Sequence, residues 1–486
     1  MILLKYLILG FLTALLFPPY FMLPLGFIIF PYLHLQIFEL NKNQSKANYF
    51  VNGFVFGFGF LSIFLFWIIN PFLVYESTKS YFLLSFLLIF ILSLIFGISF
   101  ILFKFTNNTY IKIISIPIIL VFIEVLVANL LYGFPWLSFA LIISNNFIGL
   151  NLIKYFGTHF TSFLIILVFL SPSFVFFRKK IRFIFKFITL FFIFFIVLFI
   201  VTSNYFFKNK NDEVKNLSIE LFQMNNQVNS VETNYSDEIY NTIIENINSS
   251  NADLLIFAEN NYPYLVNDIN NLEINSFLKD NQKLIIGATR VENGNYYNSI
   301  LILEKNISDY FDKKILVPFG EFLPMRKYLK FLEKISGTSD FSIGSKKRVL
   351  KISDQINFIP IICYEVIFFW RLINAHNNEA DILINITNDG WFGNRIGPYQ
   401  HFYLSKLRAS EFNKYLLRVS NNGISGIIDN KGNVISSTNL NAENKIQYDL
   451  KFKNRLNLIF FHKYFNLLLM IIMVLVFSSR FIAKNE

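Results

Sequence analysis

The sequence predicts a polytopic α-helical membrane domain of about eight spans joined to an α/β domain. Three observations predict it. Long apolar runs fill residues 1–202 and return at 459–479. Charged residues make up only 15% of the chain, where a soluble domain carries about a quarter. From 217 the pattern changes to short β-rich runs separated by helical stretches, which indicates a sheet covered on at least one face. The expected domains are 1–202 (about seven helices), 203–457 (α/β) and 458–486 (a last helix and tail).

Candidate spans are 3–17, 22–39, 50–70, 82–104, 112–132, 160–177, 184–202 and 459–479. Phe17-Pro18-Pro19-Tyr20 divides the first two, which read as two tilted helices or a broken pair. Positive charge alternates between loops. Lys42 and Lys46 follow span two, Lys104 and Lys112 flank the loop after span four, Arg178 to Arg182 follow span six, and Arg480 and Lys484 close the chain. The loops at 71–80 and 133–159 are poor in Lys and Arg. This bias puts both termini in the cytoplasm and the 203–457 domain outside, which in a Gram-negative cell is the periplasm of the inner membrane. The net charge of +11 is then a property of cytoplasmic loops, with no motif that would read nucleic acid. Glu124 lies inside span five, where an ionisable side chain is costly. The aromatic, helix-breaking stretch Gly133-Phe134-Pro135-Trp136 follows it and suits the membrane interface.

In the α/β domain the strand candidates are "LSIELFQM", "ADLLIFAEN", "KLIIGATR", "NSILILEK", "FIPIICYEV", "ADILINITND" and "GISGIID", with helices at "SDEIYNTIIENINS", "VIFFWRLINAHN" and "PYQHFYLSKLRASEFNKYLL". Polar residues that end buried strands carry chemistry more often than others. Glu259 ends one strand, Lys313 lies in "FDKKILVPFGEFLP", and Cys363, the only cysteine, ends another strand. A carboxylate in reach could take a thiol proton, and a lysine could stabilise an oxyanion. At a strand-to-helix turn the thiolate would be favoured. The bland alternatives stay open on these grounds: Glu259 as a helix cap, Lys313 as a solvated charge, Cys363 as core. One cysteine excludes an intramolecular disulfide and multi-cysteine metal sites, and the five histidines show no metal-binding pairing.

The order Glu259, Lys313, Cys363 at strand ends resembles the nitrilase (carbon–nitrogen hydrolase) superfamily, whose fold is an αββα sandwich. The resemblance narrows to apolipoprotein N-acyltransferases through "KKILVPFGEFLP" (313–324), "ICYE" (362–365), "NDGWFG" (388–393), "GPYQH" (397–401) and "LRVSNNGISGIID" (417–429), with "FPPY" and "GFPWL" in the membrane half. It implies ping-pong acyl transfer from a membrane phospholipid, through a thioester on Cys363, to the α-amine of a diacylglyceryl-cysteine at a lipoprotein N-terminus, with no cofactor and no metal. Glu259 would be the general base, its pKa held up by burial, and Lys313 the oxyanion stabiliser. Glu321 would orient both, Tyr364 and Glu365 would support the nucleophile, and Asn388, Trp391, Phe392 and Trp136 would border the lipid pocket. Val366 to Phe369 would border the acyl cavity. Two positions depart from the family pattern: Ala258 replaces a proline before the base, and Val127 replaces an arginine that would pair with Glu124. A membrane-tethered amidase or nitrilase is the alternative, since hydrolysis uses the same triad; a transporter is disfavoured because Glu124 is essentially the only charge within the spans.

Overall fold

The computed structural model describes residues 2–39, 44–106, 109–176, 214–227, 233–372, 380–453 and 459–482. The chain divides into two compact units: Met1–Phe66, Leu83–Lys210 and Leu458–Glu486 form one, and Trp67–Phe82 with Asn211–Asn457 the other.

In the first unit, Lys46–Phe64, Leu84–Phe105 and Ile111–Asn129 are long and apolar enough to cross a membrane. About eight spans were expected, and among the described residues these three qualify by length and composition together, so eight are not confirmed. The helix Ile2–Ala14 has 13 residues. At about 1.5 Å per residue a helix of that size falls short of the roughly 30 Å hydrocarbon core. The next helix, Gly26–His34, carries Pro31 and runs into a π-turn at Leu35–Glu39. Thr158–Phe169 is apolar but also short, whereas the last helix, Ile459–Ile482, has 24 residues. The expected 184–202 span and the basic run Arg178 to Arg182 lie outside the described residues.

Close helix approach sets the packing. A Cβ on Gly10 would stand 2.2 Å from the Phe56 carbonyl, and one on Gly59 would stand 2.5 Å from that of Leu7. Small residues at these points let the helices 2–14 and 46–64 meet backbone to backbone. Glu124, left without its arginine by Val127, is 1% exposed and finds two other partners. Its Oε1 meets His159 Nδ1 at 2.6 Å, and its Oε2 accepts the Phe139 N–H at 2.8 Å. The stretch after Gly133 does not lie flat at an interface: Trp136 is fully buried and stacks on Phe134, and the 3-10 turn Phe139–Ile143 is buried throughout. Trp136 is thus core of the helical unit, because the Glu124 carboxylate pulls the following turn inward.

The second unit is a pair of six-stranded sheets. The strands are β1 (Lys215–Gln223), β2 (Leu254–Phe257), β3 (Lys283–Glu292), β4 (Asn295–Leu303), β5 (Ser308–Asp312), β6 (Leu350–Ser353), β7 (Ile356–Ile362), β8 (Ile382–Thr387), β9 (Tyr415–Ser420), β10 (Gly426–Ile428), β11 (Val434–Ser437) and β12 (Asn444–Phe452). Their order is β12-β1-β2-β3-β4-β5 in one sheet and β11-β10-β9-β8-β7-β6 in the other. The parallel central strands, β1 to β3 and β7 to β9, are the near-continuous apolar runs of the sequence. The helix Thr233–Ser249 covers the first sheet, with Ile243 and Ile247 buried among Phe222, Leu255 and Leu284. The helix Ile396–Phe412 packs beside β9 of the second. It ends at Asn413, whose left-handed conformation frees Tyr415–Ser420 to become a strand where the sequence pattern predicted more helix. The predicted helix after Cys363 is only a 3-10 turn, Cys363–Ile367, and a short helix, Phe369–Leu372.

Removing Glu124 leaves His159 and the Phe139 N–H without their shared partner. We expect Glu124→Ala to destabilise the detergent-solubilised protein by about 3 kcal/mol, the scale of a broken buried pair. Thermal unfolding of Glu124→Ala, His159→Ala and the double variant checks it, the double change costing less than the sum.

Candidate active site

Three residues singled out from the sequence converge at strand ends of the two sheets. Glu259 follows β2, Lys313 follows β5, and Cys363 follows β7. Their exposures are 4%, 1% and 6%. Lys313 is held by its chain before it is held by its charge: its N–H donates to the Asn298 carbonyl of β4 at 2.8 Å, and its own carbonyl accepts from Gly344 at 2.9 Å. Just before it, Asp312 is gripped by Arg290 Nη2 at 2.7 Å and Nε at 3.0 Å.

The Lys313 ammonium stands 2.8 Å from Glu321 Oε1 and 3.4 Å from Glu259 Oε1. Burial alone would lower its pKa, but Glu321 and Glu259 together raise it above the usual lysine value. Glu321 is fixed by the turn it ends, since its Oε2 accepts the Val317 N–H at 2.8 Å. Asn298 bridges the two carboxylates, donating to Glu259 Oε1 at 2.8 Å and Glu321 Oε1 at 2.7 Å. The other Glu259 oxygen accepts the Asn388 N–H at 2.8 Å, so this carboxylate is held from both sheets.

Cys363 has φ +47°, a left-handed conformation rare for a side-chain-bearing residue. It turns the thiol out of the strand line toward the charges. Burial, reinforced by the Glu259 carboxylate, pushes the thiol well above its ordinary pKa, against the opposing pull of Lys313 and a hydrogen bond with Thr387. The sequence led to the opposite expectation, a thiolate favoured by a helix N-terminus. A five-residue 3-10 turn has too little aligned dipole to offset desolvation.

Glu365 is fully buried. It accepts N–H bonds from Lys314 at 2.9 Å, Ile315 at 3.2 Å and Ile362 at 3.0 Å, and pairs with Arg348, whose Nη1 is 2.8 Å away. Burial would raise its pKa, but the Arg348 guanidinium holds it below the usual carboxylate value. It therefore locks the chain behind Lys313 to the chain before Cys363. Tyr364 is buried against Phe368, its phenol pushed up by that burial. Of Val366 to Phe369, the first three are core at 0–1% exposure and Phe369 is half-buried.

Phe392 packs edge-on against Trp67 and His401, while Trp391 is half-buried with its ring 6.1 Å from that of Tyr75. Trp67 and Tyr75 belong to Trp67–Phe82, a segment that lies in sequence between two membrane-length helices yet folds into the α/β unit. Trp67 Nε1 donates to Gln400 Oε1 at 3.1 Å, and Asn70 Nδ2 to the Phe392 carbonyl at 3.0 Å. Sequence reasoning ran span three through to residue 70 and missed this; Asn70-Pro71 was the available signal. It also missed Asn298 and Arg348. Asn298 has a sequence signal in its place just before the apolar run Ile300–Leu303; Arg348 sits in an ordinary basic run. Trp136 lies in the helical unit. Among the described residues no group of acidic, histidine and cysteine side chains could hold a metal.

Residues 9–171 match the family of apolipoprotein N-acyltransferase N-terminal domains, and residues 222–455 the carbon–nitrogen hydrolase family. The apolipoprotein N-acyltransferase of Rickettsia bellii (strain RML369-C) is 30% identical, over 99% of this chain and 97% of its own. That of Rickettsia prowazekii (strain Madrid E) is 29% identical, over 91% of this chain and 90% of its own. A solved CN-hydrolase superfamily protein from Xanthomonas campestris covers 49% of this chain and 91% of its own, at 14% identity and a TM-score of 0.37.

Two outcomes follow from this geometry. Arg348→Met strands Glu365 as a buried unpaired charge, and should cost about 3–5 kcal/mol in thermal unfolding. Alkylation of Cys363 should set in at higher pH than for a free thiol, because the proton leaves a neutral group held neutral by burial and Glu259. Glu259→Gln removes the carboxylate charge and should move that onset to lower pH, read by mass spectrometry of iodoacetamide-treated protein.

Proposed function

The chain belongs to the apolipoprotein N-acyltransferase family, and from that premise we propose that Cys363 carries the acyl group between a membrane phospholipid and the N-terminal amine of a diacylated lipoprotein. The observation that carries this reading is the conjunction of three buried side chains, Lys313 hydrogen-bonded to Glu259 and the Cys363 thiol within the electrostatic reach of both.

The thiol is neutral at rest, so attack needs a base. Glu259 takes the Cys363 proton as the sulfur adds to an ester carbonyl of the phospholipid. The negative charge that develops on the carbonyl oxygen is met by the Lys313 ammonium, already in place and desolvated. Glu259 returns the proton to the departing glycerol oxygen, releasing lysophospholipid and leaving the thioester. The lipoprotein's free α-amine then adds to the thioester carbonyl, Glu259 accepts the amine proton, and the thiol is restored as the amide forms. Glu321 and Asn298 set the separation of Lys313 and Glu259, and Glu365 with Arg348 holds the strand end that presents sulfur. Trp391, half-buried, is the better candidate for acyl contact; Phe392 and Asn388 serve the loop itself.

The first and last apolar stretches and the domain at 203–457 fit a multi-pass inner-membrane protein with a periplasmic catalytic domain and cytoplasmic termini. The Lys and Arg bias of the loops supports that orientation. So does the packing of residues 67–82 within the α/β unit, which requires the loop between spans three and four to share a side of the membrane with residues 211–457. Both substrates then reach the thiol by lateral diffusion, and neither needs an aqueous concentration. Seven spans before the α/β domain satisfy the same parity.

Mass spectrometry of the purified protein incubated with phospholipid alone tests the reading. A Cys363-linked acyl group should appear, be absent in Cys363→Ser, and transfer to the amine of an added diacylated lipopeptide. Release as free fatty acid instead would favour the hydrolase reading, and an unmodified Cys363 in active protein would sink the mechanism. Lys313→Met should lower the acylation rate by about 10²–10³-fold and Glu259→Gln by about 10²–10⁴-fold.

A further inference from the structure

We propose that Asp389, Arg418 and His401 form a positioning cluster that holds the Cys363 thiol and the Glu259 carboxylate in register, acting through Thr387 and Asn388. The proposal rests on the reading of Cys363 as nucleophile and Glu259 as its base.

The three side chains come from different elements, and each is 0% exposed. Asp389 follows β8, Arg418 lies on β9, and His401 on the helix Ile396–Phe412. Asp389 Oδ1 is 2.8 Å from His401 Nδ1, and Asp389 Oδ2 accepts from Arg418 Nη2 at 2.7 Å. Arg418 is itself fixed by the Ser405 hydroxyl at 3.0 Å, the Ile424 carbonyl at 3.2 Å and Asn385. The space is already closed around Asp389: a Cβ on Gly423 would stand 2.1 Å from its Oδ2.

A buried assembly of this charge costs several kcal/mol more than an apolar one of the same shape unless its groups are fully satisfied. Its contacts lead to the site. The Thr387 hydroxyl donates to Asp389 Oδ1 at 3.0 Å, and the same side chain hydrogen-bonds the Cys363 thiol. A hydroxyl has one proton and two lone pairs. With its proton on Asp389 it can accept from the resting S–H; once sulfur is ionised, it can rotate to donate to the thiolate. Asp389 thus places the hydroxyl oxygen beside the sulfur before ionisation, so that the rotated hydroxyl is in reach of the thiolate. The next residue, Asn388, donates its N–H to Glu259 Oε2, and its side chain closes the turn by accepting the Gly390 N–H at 3.2 Å. One anchored carboxylate therefore sets a contact to the nucleophile and a contact to the base. The ionisable neighbours of the thiol are Glu259, Lys313, Tyr364 and Asp389; those of Asp389 are Arg418 and His401.

The test uses full-length protein in detergent and follows iodoacetamide alkylation of Cys363 across a pH series, beside acylation from mixed phosphatidylethanolamine–phosphatidylglycerol micelles. Asp389→Asn and Thr387→Val should each slow alkylation about tenfold or more, the fold-change of a lost hydrogen bond to a charged group. Thr387→Ser, which keeps the hydroxyl, should restore a rate near the native one. The sign for Asp389→Asn discriminates: neutralising a mere nearby negative charge would make the thiol more acidic and speed alkylation, which would overturn the proposal. Should Asp389→Asn fail to fold, the Thr387→Val and Thr387→Ser pair decides alone, and a native rate in Thr387→Val overturns it. Failure of the native protein to take an acyl group on Cys363 would instead overturn the underlying reading.

Discussion

An ammonium with 1% exposure is the constraint around which the α/β unit is built. Taking Lys313 out of water costs several kcal/mol, and the interior has to return it through charge and geometry. Glu321 at 2.8 Å and Glu259 at 3.4 Å do so, and Asn298 keeps the two carboxylates from drifting together or apart. Each partner needs its own strand or turn at a fixed height: β4 for Asn298, β2 for Glu259, the turn 317–321 for Glu321. The second sheet is tied to the same cluster through the Asn388 N–H on Glu259. Because an unpaired charge in this environment is so costly, the arrangement tolerates little displacement, and that stiffness is what an oxyanion site requires.

The nucleophile follows from the same cluster. Its thiol is held neutral by burial and by Glu259, the carboxylate that would receive its proton. Lys313 opposes this only in part, since its charge is largely committed to Glu321 and Glu259. In the proposed reaction, a neutral sulfur beside this carboxylate would be activated when substrate brings a carbonyl whose oxygen can take up the Lys313 charge. Glu365 and Arg348, which never approach the substrate side, serve by fixing the backbone on both flanks of the cluster.

In the helical unit the corresponding constraint is Glu124. A carboxylate among apolar helices must be paired, and its partners His159 and the Phe139 N–H draw the chain after Gly133 inward. That explains why Trp136, so suited to a lipid interface by type, is core instead. Likewise, Trp67 and Phe392 look like lipid-facing aromatics in isolation but pack on each other within the α/β unit. Aromatic identity fits either setting; the polar groups beside each ring decide which one it takes.

The sequence by itself determined the division into apolar helices and α/β strands, because hydropathy and periodicity are local properties. It also singled out Glu259, Lys313 and Cys363, because Glu259 and Cys363 end apolar runs and all three fall in an order and in motifs shared with a known family. It did not determine the state of the thiol. That depends on how deeply sulfur is buried and how near Glu259 stands, quantities set by two sheets meeting across more than a hundred residues of chain. Nor did it determine that 67–82 would fold with residues far downstream, that Asn413 would end a helix early enough to make β9, or that Asp389, His401 and Arg418 would meet. Those depend on register and on the matching of buried charges, and a long-range contact leaves no mark on the local pattern of either partner.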